Sequence, residues 1–258
     1  MIDFVICKIE NGFYAFKLEN IQRIIEAKEL TSVSDSPVYI DGILNYEDEA
    51  IQIINLRKIL GFEDYQNEID KLFKILKQQH IDWVDALEDS IDNGVEFSKT
   101  TNPHMCDFGK WLDKFISYDA SIRKILDSIK VHHTNLHVSA IDILKIAEED
   151  REAACRKFKK ETLVHRDNTL KLMDKLIEKS SSVALSMKKI LIYKKEKKVV
   201  GLVVDSIDNI VHLNQNEVEF MDTDMKPNPI IGINQVIDID KKLICIINSI
   251  NLEAIYKD

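Results

Sequence analysis

The feature that most constrains this chain is a hydrophobic period that changes twice. From Phe4 to Leu60 the apolar residues alternate in the two-residue rhythm of strands. After Gly61 the period lengthens to about 3.6, and from Asp70 to roughly Ser182 nearly every segment reads as amphipathic helix. Strand pattern resumes at Lys189-Ile190-Leu191-Ile192-Tyr193. The two strand-rich flanks also repeat one another. Ala15 to Ile25 lines up with Gly201 to Val211, Ile51 to Asn55 with Ile244 to Asn248, and Gly42-Ile43 with Gly232-Ile233, apolar on apolar at most positions. The pattern predicts an α+β protein divided as 1–64, 65–187 and 188–258, with a duplicated β-unit flanking a helical insert. A chain of 258 residues, 45% hydrophobic, carries enough apolar surface for two cores.

Local signals refine this division. Glu10-Asn11-Gly12 predicts a tight hairpin between two strands within Phe4 to Leu18, with Asn-Gly supplying the positive backbone dihedrals. Ile51 to Leu56 reads as a half-buried strand that enters a short turn at Arg57-Lys58-Ile59-Leu60. In the insert, Leu72, Ile75, Leu76, Trp83, Leu87 and Ile91 suit one helix, and Phe108, Trp111, Leu112 and Phe115 a second. Ile122 through His137, Ile141, Leu144 and Ile146 suit a third, with Asn93-Gly94 and Asn102-Pro103 as breaks. Glu148 to Lys179 reads as a last helix, its dense charges forming a solvated face or a dimer seam, and Ser180-Ser181-Ser182 as its end.

The insert also collects metal-binding side chains. His133 and His137 are four apart, which puts both rings on one helical face, while His132 points elsewhere. His80 and Cys106 stand on what read as two other helices. A helical His is usually solvated or hydrogen-bonded, and a Cys beside Phe108 and Trp111 is usually packed in a core. Together, however, one thiolate and three imidazoles are a complete tetrahedral zinc shell, unsuited to Mg²⁺ or Ca²⁺, which want oxygens. Copper and iron accept the same donors.

The donors sit in a recognisable pattern. His80-Ile81-Asp82-Trp83, Cys106-Asp107-Phe108-Gly109-Lys110-Trp111 and His133-Thr134-Asn135-Leu136-His137 follow at intervals of 26 (80 to 106) and 27 (106 to 133) residues. This series resembles the chemoreceptor zinc-binding (CZB) domain, a four-helix bundle, and matches each of its motif positions. The resemblance implies Zn²⁺ as cofactor, His80, Cys106, His133 and His137 as ligands, and a homodimer formed through the domain. His104, just after Pro103, reads as a loop histidine.

The duplicated β-unit, with Gly42-Ile43-Leu44-Asn45, Ile51-Gln52-Ile53-Ile54-Asn55-Leu56-Arg57 and Gly201-Leu202-Val203-Val204-Asp205, resembles the CheW domain of bacterial chemotaxis arrays. That likeness implies two small five-stranded β-barrels and two partners, a CheA-type histidine kinase and chemoreceptor cytoplasmic tips. Asn45-Tyr46-Glu47-Asp48 departs from the family, which usually has an arginine there, in a segment that helps dock receptors.

Composition limits other functions. With 35 basic and 44 acidic residues, for a net charge of -9, nucleic acid is not an expected partner, since phosphate binding needs a concentrated positive field. Met1-Ile2-Asp3-Phe4 has no signal-peptide character, and apolar runs such as Val199 to Val204 are too short to span a bilayer. Neither membrane insertion nor secretion is expected. Cys7, Cys106, Cys155 and Cys245 lack a disulfide-framework spacing, which fits the reducing cytoplasm, and Cys7 and Cys245 read as core residues of strands. A zinc hydrolase would need an open coordination position and a general base, but Thr134 stands where metalloprotease helices place Glu. The reading is a non-enzymatic chemotaxis scaffold with a zinc- or oxidant-responsive insert. A zinc-stabilised structural or zinc-buffering protein is the alternative.

Overall fold

A computed structural model describes residues 1–221 and 228–255. The chain forms two compact units, Met1–Tyr65 with Met187–Asp258, and Gln66–Ser186. In the first, strands β1 (Ile2–Ile9), β2 (Gly12–Lys17), β3 (Ile21–Glu26), β4 (Ile40–Tyr46) and β5 (Glu49–Asn55) lead into the short helix α1 (Leu56–Leu60). The Asn55 side chain caps α1 by accepting from the Lys58 N–H, and Gly61, at φ 79°, ends it in the left-handed conformation that glycine adopts without strain.

The first hairpin forms one residue earlier than the sequence predicts. Ile9 pairs with Gly12, so the turn residues are Glu10 and Asn11, and Glu10 takes the positive φ of 54°. Two constraints account for the shift. The Glu10 N–H donates to the Asp205 carboxylate at 2.7 Å, and a Cβ on Gly12 would lie 2.8 Å from the Tyr14 ring. With glycine there, the Tyr14 ring lies over the strand without having to turn aside.

Helices α2 (Tyr65–Asn93), α3 (Asp107–Lys114), α4 (Ala120–Glu149), α5 (Arg151–Lys157), α6 (Leu163–Glu178) and α7 (Ser180–Met187) follow. A π-helical turn, Phe158–Thr162, joins α5 to α6. Gly94, at φ 68°, terminates α2, and the Asp119 carboxylate caps α4 by accepting from the Ser121 and Ile122 N–H groups. Two boundaries differ from expectation. The last helix breaks at Asp150, whose carboxylate accepts from the Ala153 N–H and restarts the helix. Ser180-Ser181-Ser182 opens α7 instead of ending a helix: Ser180, Val183 and Ala184 are buried, and the Ser186 hydroxyl bonds back to the Ser182 carbonyl. On α2 the expected Leu76, Trp83, Leu87 and Ile91 are buried, but Ile75 is 58% exposed and Phe73 is wholly buried instead. Among the described residues, no helix is long and apolar enough to cross a membrane.

The second repeat comprises β6 (Lys189–Lys195), β7 (Lys198–Val204), β8 (Ser206–Leu213), β9 (Glu219–Phe220), β10 (Ile231–Ile239) and β11 (Lys242–Ile250), before the short α8 (Leu252–Ile255). The repeats interweave. One sheet has the order β8-β1-β2-β11-β10-β9 and the other β3-β6-β7-β5-β4, so each takes its first hairpin from one repeat and its remaining strands from the other. The joints match as well: β2 pairs in parallel with β11, and β5 in parallel with β7. The sheets have six and five strands, where two five-stranded barrels are expected. Among the described residues no ladder joins the edge strands of either sheet into a closed ring, and the Thr31–Ile43 contact is an isolated bridge.

A buried ion pair ties the two repeats together. Arg57 Nε donates to Asp205 Oδ1 at 2.7 Å and its Nη2 donates to Oδ2 at 2.7 Å, while Nη1 donates to the Glu63 carbonyl at 2.8 Å. The Tyr65 ring covers the guanidinium at 4.7 Å. The side chains are 2% and 8% exposed, so the charges interact with little solvent screening, and the many hydrogen bonds offset the desolvation. At the repeat-related positions stand Ile250 and Glu19, so the pair occurs on one side of the pseudo-symmetry only. Arg57→Ala should lower stability by about 3–5 kcal/mol because it strands a buried carboxylate. Urea unfolding followed by circular dichroism measures this, and a change below about 1 kcal/mol would contradict the assignment.

Candidate metal centre

Three segments of the helical unit bring the four predicted donors together. His80 lies on α2, Cys106 is the N-cap residue of α3, and His133 and His137 lie one turn apart on α4. One donor atom from each falls within 4.8 Å of all the others. The three histidines are at most 2% exposed, and Cys106 is half-buried.

The imidazoles are oriented from behind by carbonyl groups. His80 Nδ1 lies 2.7 Å from the Leu76 carbonyl, and His137 Nδ1 lies 3.0 Å from the Thr100 carbonyl. A carbonyl only accepts, so both Nδ1 atoms carry the proton and both Nε2 atoms present a lone pair. Thr100 also accepts from Trp83 Nε1 at 2.8 Å, and the Trp83 ring packs 4.8 Å from that of His137. Phe108 closes another side, edge-on to His80 and His133 at 5.6 and 5.4 Å. The aromatic positions of the sequence pattern thus wall in the donors.

Cys106 reaches the cluster through its place at a helix start. Its Sγ accepts from the Gly109 N–H at 3.2 Å and lies 3.2 Å from His133 Nε2 and 4.0 Å from His80 Nε2. Gly109 permits this arrangement, because a Cβ there would stand 1.7 Å from the Pro103 carbonyl oxygen. The glycine is required by close approach of two backbones, not by its dihedral angles.

Electrostatics favours the metal-binding form of the rings. Burial, reinforced by the His137 and His80 rings, lowers the His133 pKa to about 2. Burial likewise lowers His137 to about 4, against the Thr100 carbonyl, and lowers His80. All three rings are therefore neutral at physiological pH, as a ligand must be. Burial pushes the Cys106 thiol up, opposed by the Gly109 and Phe108 N–H groups, which favour the thiolate.

The donor set fits zinc. Around a tetrahedral ion, with bonds of about 2.3 Å to sulfur and 2.0–2.1 Å to nitrogen, the sulfur and a nitrogen stand about 3.5 Å apart. The observed 3.2 and 4.0 Å bracket that value. His137 Nε2 supplies a second argument: it is buried and has no hydrogen-bond partner among the described residues, a costly state for a lone pair unless an ion accepts it.

Other sequence candidates lie elsewhere. His104 stays on the loop, 68% exposed and 3.0 Å from the Asp113 carboxylate, and His132 turns toward α6. Cys7 is fully buried in its strand, whereas Cys245, expected to be a core residue, is only half-buried. At the Asn45-Tyr46-Glu47-Asp48 segment, Glu47 and Asp48 form the β4–β5 turn, with φ of 50° and 66°. An arginine does stand there, but it is Arg23 of β3, 3.7 Å from Glu47. Sequence reasoning missed Thr100, whose contribution is a backbone carbonyl, and did not assign a role to Gly109, although the glycine inside the Cys-x-Phe-Gly motif was the available signal.

Comparison with known proteins agrees with both resemblances. Residues 3–84 match the CheW-like domain, and residues 80–144, which span all four donors, match the chemoreceptor zinc-binding domain. A chemotaxis protein CheW from Thermotoga maritima is 35% identical over 54 residues, 21% of this chain and 36% of that protein. The match thus spans about a third of the relative's length. The crystal structure of the scaffolding protein TtCheW from Thermoanaerobacter tengcongensis aligns at a TM-score of 0.47 and 11% identity, over 97% of this chain and 91% of that one. The two family matches thus give the chain a CheW-like stretch followed by a chemoreceptor zinc-binding stretch. Zinc is the cofactor the latter implies, and the His and Cys cluster could hold it.

Gly109→Ala should force α3 away from the Pro103 loop and destabilise the helical unit by about 1–3 kcal/mol. Thermal unfolding of the metal-stripped protein measures it, and an unchanged midpoint would show that the two backbones do not approach as described.

Proposed function

We propose that this protein is a non-enzymatic, cytoplasmic scaffold of a chemotaxis array. Its β unit would contact a CheA-type histidine kinase and chemoreceptor tips, and its helical unit would hold one Zn²⁺ through His80, Cys106, His133 and His137. The observation that carries this reading is the convergence of one thiol and three neutral imidazoles inside the stretch that matches a chemoreceptor zinc-binding domain. The functional boundaries follow the change of period, with 65–187 as the zinc-binding part and 1–64 with 188–258 as the CheW-like part. The architecture implied is a four-helix bundle inserted, in sequence, between the two halves of a barrel-like β module.

Each ligand residue has a distinct task. His80 and His137 present Nε2 because the Leu76 and Thr100 carbonyls hold their Nδ1 protons. His133 and Cys106 complete the set, and Gly109 directs an N–H at the sulfur. When bound, zinc would supply a cross-link between three helical segments and would favour the thiolate of Cys106. Four protein donors leave no position for a reactive water, which separates the site from a hydrolase.

Cys106 is also where oxidant would act. Its thiolate sulfur can take oxygen from hypochlorous acid, becoming a sulfenic acid as chloride leaves in a two-electron oxidation. The oxidised sulfur donates poorly, so three imidazoles remain and metal affinity falls. Cys7 is shielded by burial, whereas Cys155 and Cys245 are half-buried, so selectivity for Cys106 rests on its thiolate character. Because the helical unit is inserted between the repeats, repacking of its helices could bias the β unit toward a different partner-binding state. A homodimer would use the exposed Val131, Val138 and Ile141 of α4 as its seam.

Elemental analysis should find one zinc per purified chain, falling to near zero in Cys106→Ala, and full occupancy in that variant would exclude the ligand assignment. Pull-down of kinase and receptor with zinc-loaded, zinc-stripped and hypochlorite-treated protein tests the signalling role. Zinc release on oxidation should accompany a change in partner capture. Release with unchanged capture would leave a zinc-stapled or zinc-buffering scaffold with no sensor.

A further inference from the structure

The buried cluster leaves one pair of histidines unexplained. His132 follows the helix about 100° round from His133 and faces α6. There its Nδ1 lies 3.2 Å from Nδ1 of His165. The ring centroids are 5.5 Å apart with planes inclined at 44°, so nitrogens, not ring faces, meet. Both residues are half-buried, within reach of solvent but held by the helices around them.

The contact is a hydrogen bond from the N–H of one ring to the nitrogen lone pair of the other. Both nitrogens are also spaced as they would be on a shared ion. Two nitrogens bound at about 2.0–2.1 Å stand about 2.9–3.4 Å apart, from square to tetrahedral geometry. Glu161, four residues before His165 in the π-helical turn that leads into α6, adds a negative field at His165 while its carboxylate stays 3.7 Å from Lys157. It therefore favours a cation without having to be a ligand.

We propose that His132 and His165 form a second, solvent-reachable metal site that links α4 to α6. It would take Zn²⁺, or another ion suited to imidazole such as Ni²⁺ or Cu²⁺, with water in the remaining positions. Two protein donors bind more weakly than four, so the site fills at zinc concentrations above those that saturate the buried cluster. The helical unit would then respond to zinc in two concentration ranges, the second acting on the contact between α4 and α6.

Calorimetric titration of the full-length protein, preloaded with one equivalent of Zn²⁺, tests this with further Zn²⁺ as the probe. A second event of one ion per chain is expected, and it should be lost in both His132→Gln and His165→Gln while the first equivalent is kept. Cys106→Ala should lose the tight event and retain the weak one, so failure of the buried site and failure of this one are distinguishable. Circular dichroism checks that the variants remain folded, and each substitution provides an independent version of the other. No second event, or one that survives both substitutions, would overturn the proposal and leave the pair as a hydrogen bond between helices.

Discussion

A polar atom taken out of water must find a partner, and this constraint organises both units of the protein. In the helical unit, three imidazoles are buried within one small volume. Two of them satisfy Nδ1 on the Leu76 and Thr100 carbonyls, which leaves their Nε2 atoms facing Cys106 and His133. Those remaining nitrogens define the site, and His137 Nε2 is the clearest case, since it has no other partner among the described residues. The surroundings follow from the same need. Trp83 and Phe108 keep solvent out, while Gly109 lets α3 come close enough to the Pro103 loop to present its N-cap thiol.

In the β unit the same constraint acts through Arg57 and Asp205. A guanidinium and a carboxylate at 2% and 8% exposure persist only because each hydrogen bond is made, and making them ties α1 of the first repeat to the β7–β8 junction of the second. The Glu10 N–H, bonded to the same carboxylate, fixes the first hairpin turn. One buried pair thus couples the strand register of one repeat to the other. The interwoven sheets, in which β1 and β2 sit among strands from the far end of the chain, make such long-range coupling necessary.

Much of this was legible in the sequence, for identifiable reasons. The change in period marked the helical part because burial of one face imposes 3.6 on helices and two on strands. The donors could be read because His133 and His137 share a helical face and because the motif spacing is specific. The interweaving could not be read: pairing between β2 and β11, or between β5 and β7, leaves no trace in the local pattern of either strand. Arg57 and Asp205 were both quoted in the family motifs, but their contact spans 148 residues. Thr100 acts through its carbonyl, which any residue could supply. Phe73 shares the buried face of α2 with Leu76, Trp83 and Leu87, whereas Ile75 lies off it, 58% exposed, although its apolar side chain suggested the core. The restart at Asp150 came from a single side-chain cap overriding a continuous helical pattern.

The central claim is that Cys106 and three imidazoles hold one zinc ion with no further ligand. X-ray absorption at the zinc edge, on protein carrying a single equivalent of Zn²⁺, tests it most directly. The account predicts one sulfur at about 2.3 Å and three nitrogens at about 2.0–2.1 Å. A first shell without sulfur, or with oxygen from water in place of an imidazole, would contradict it.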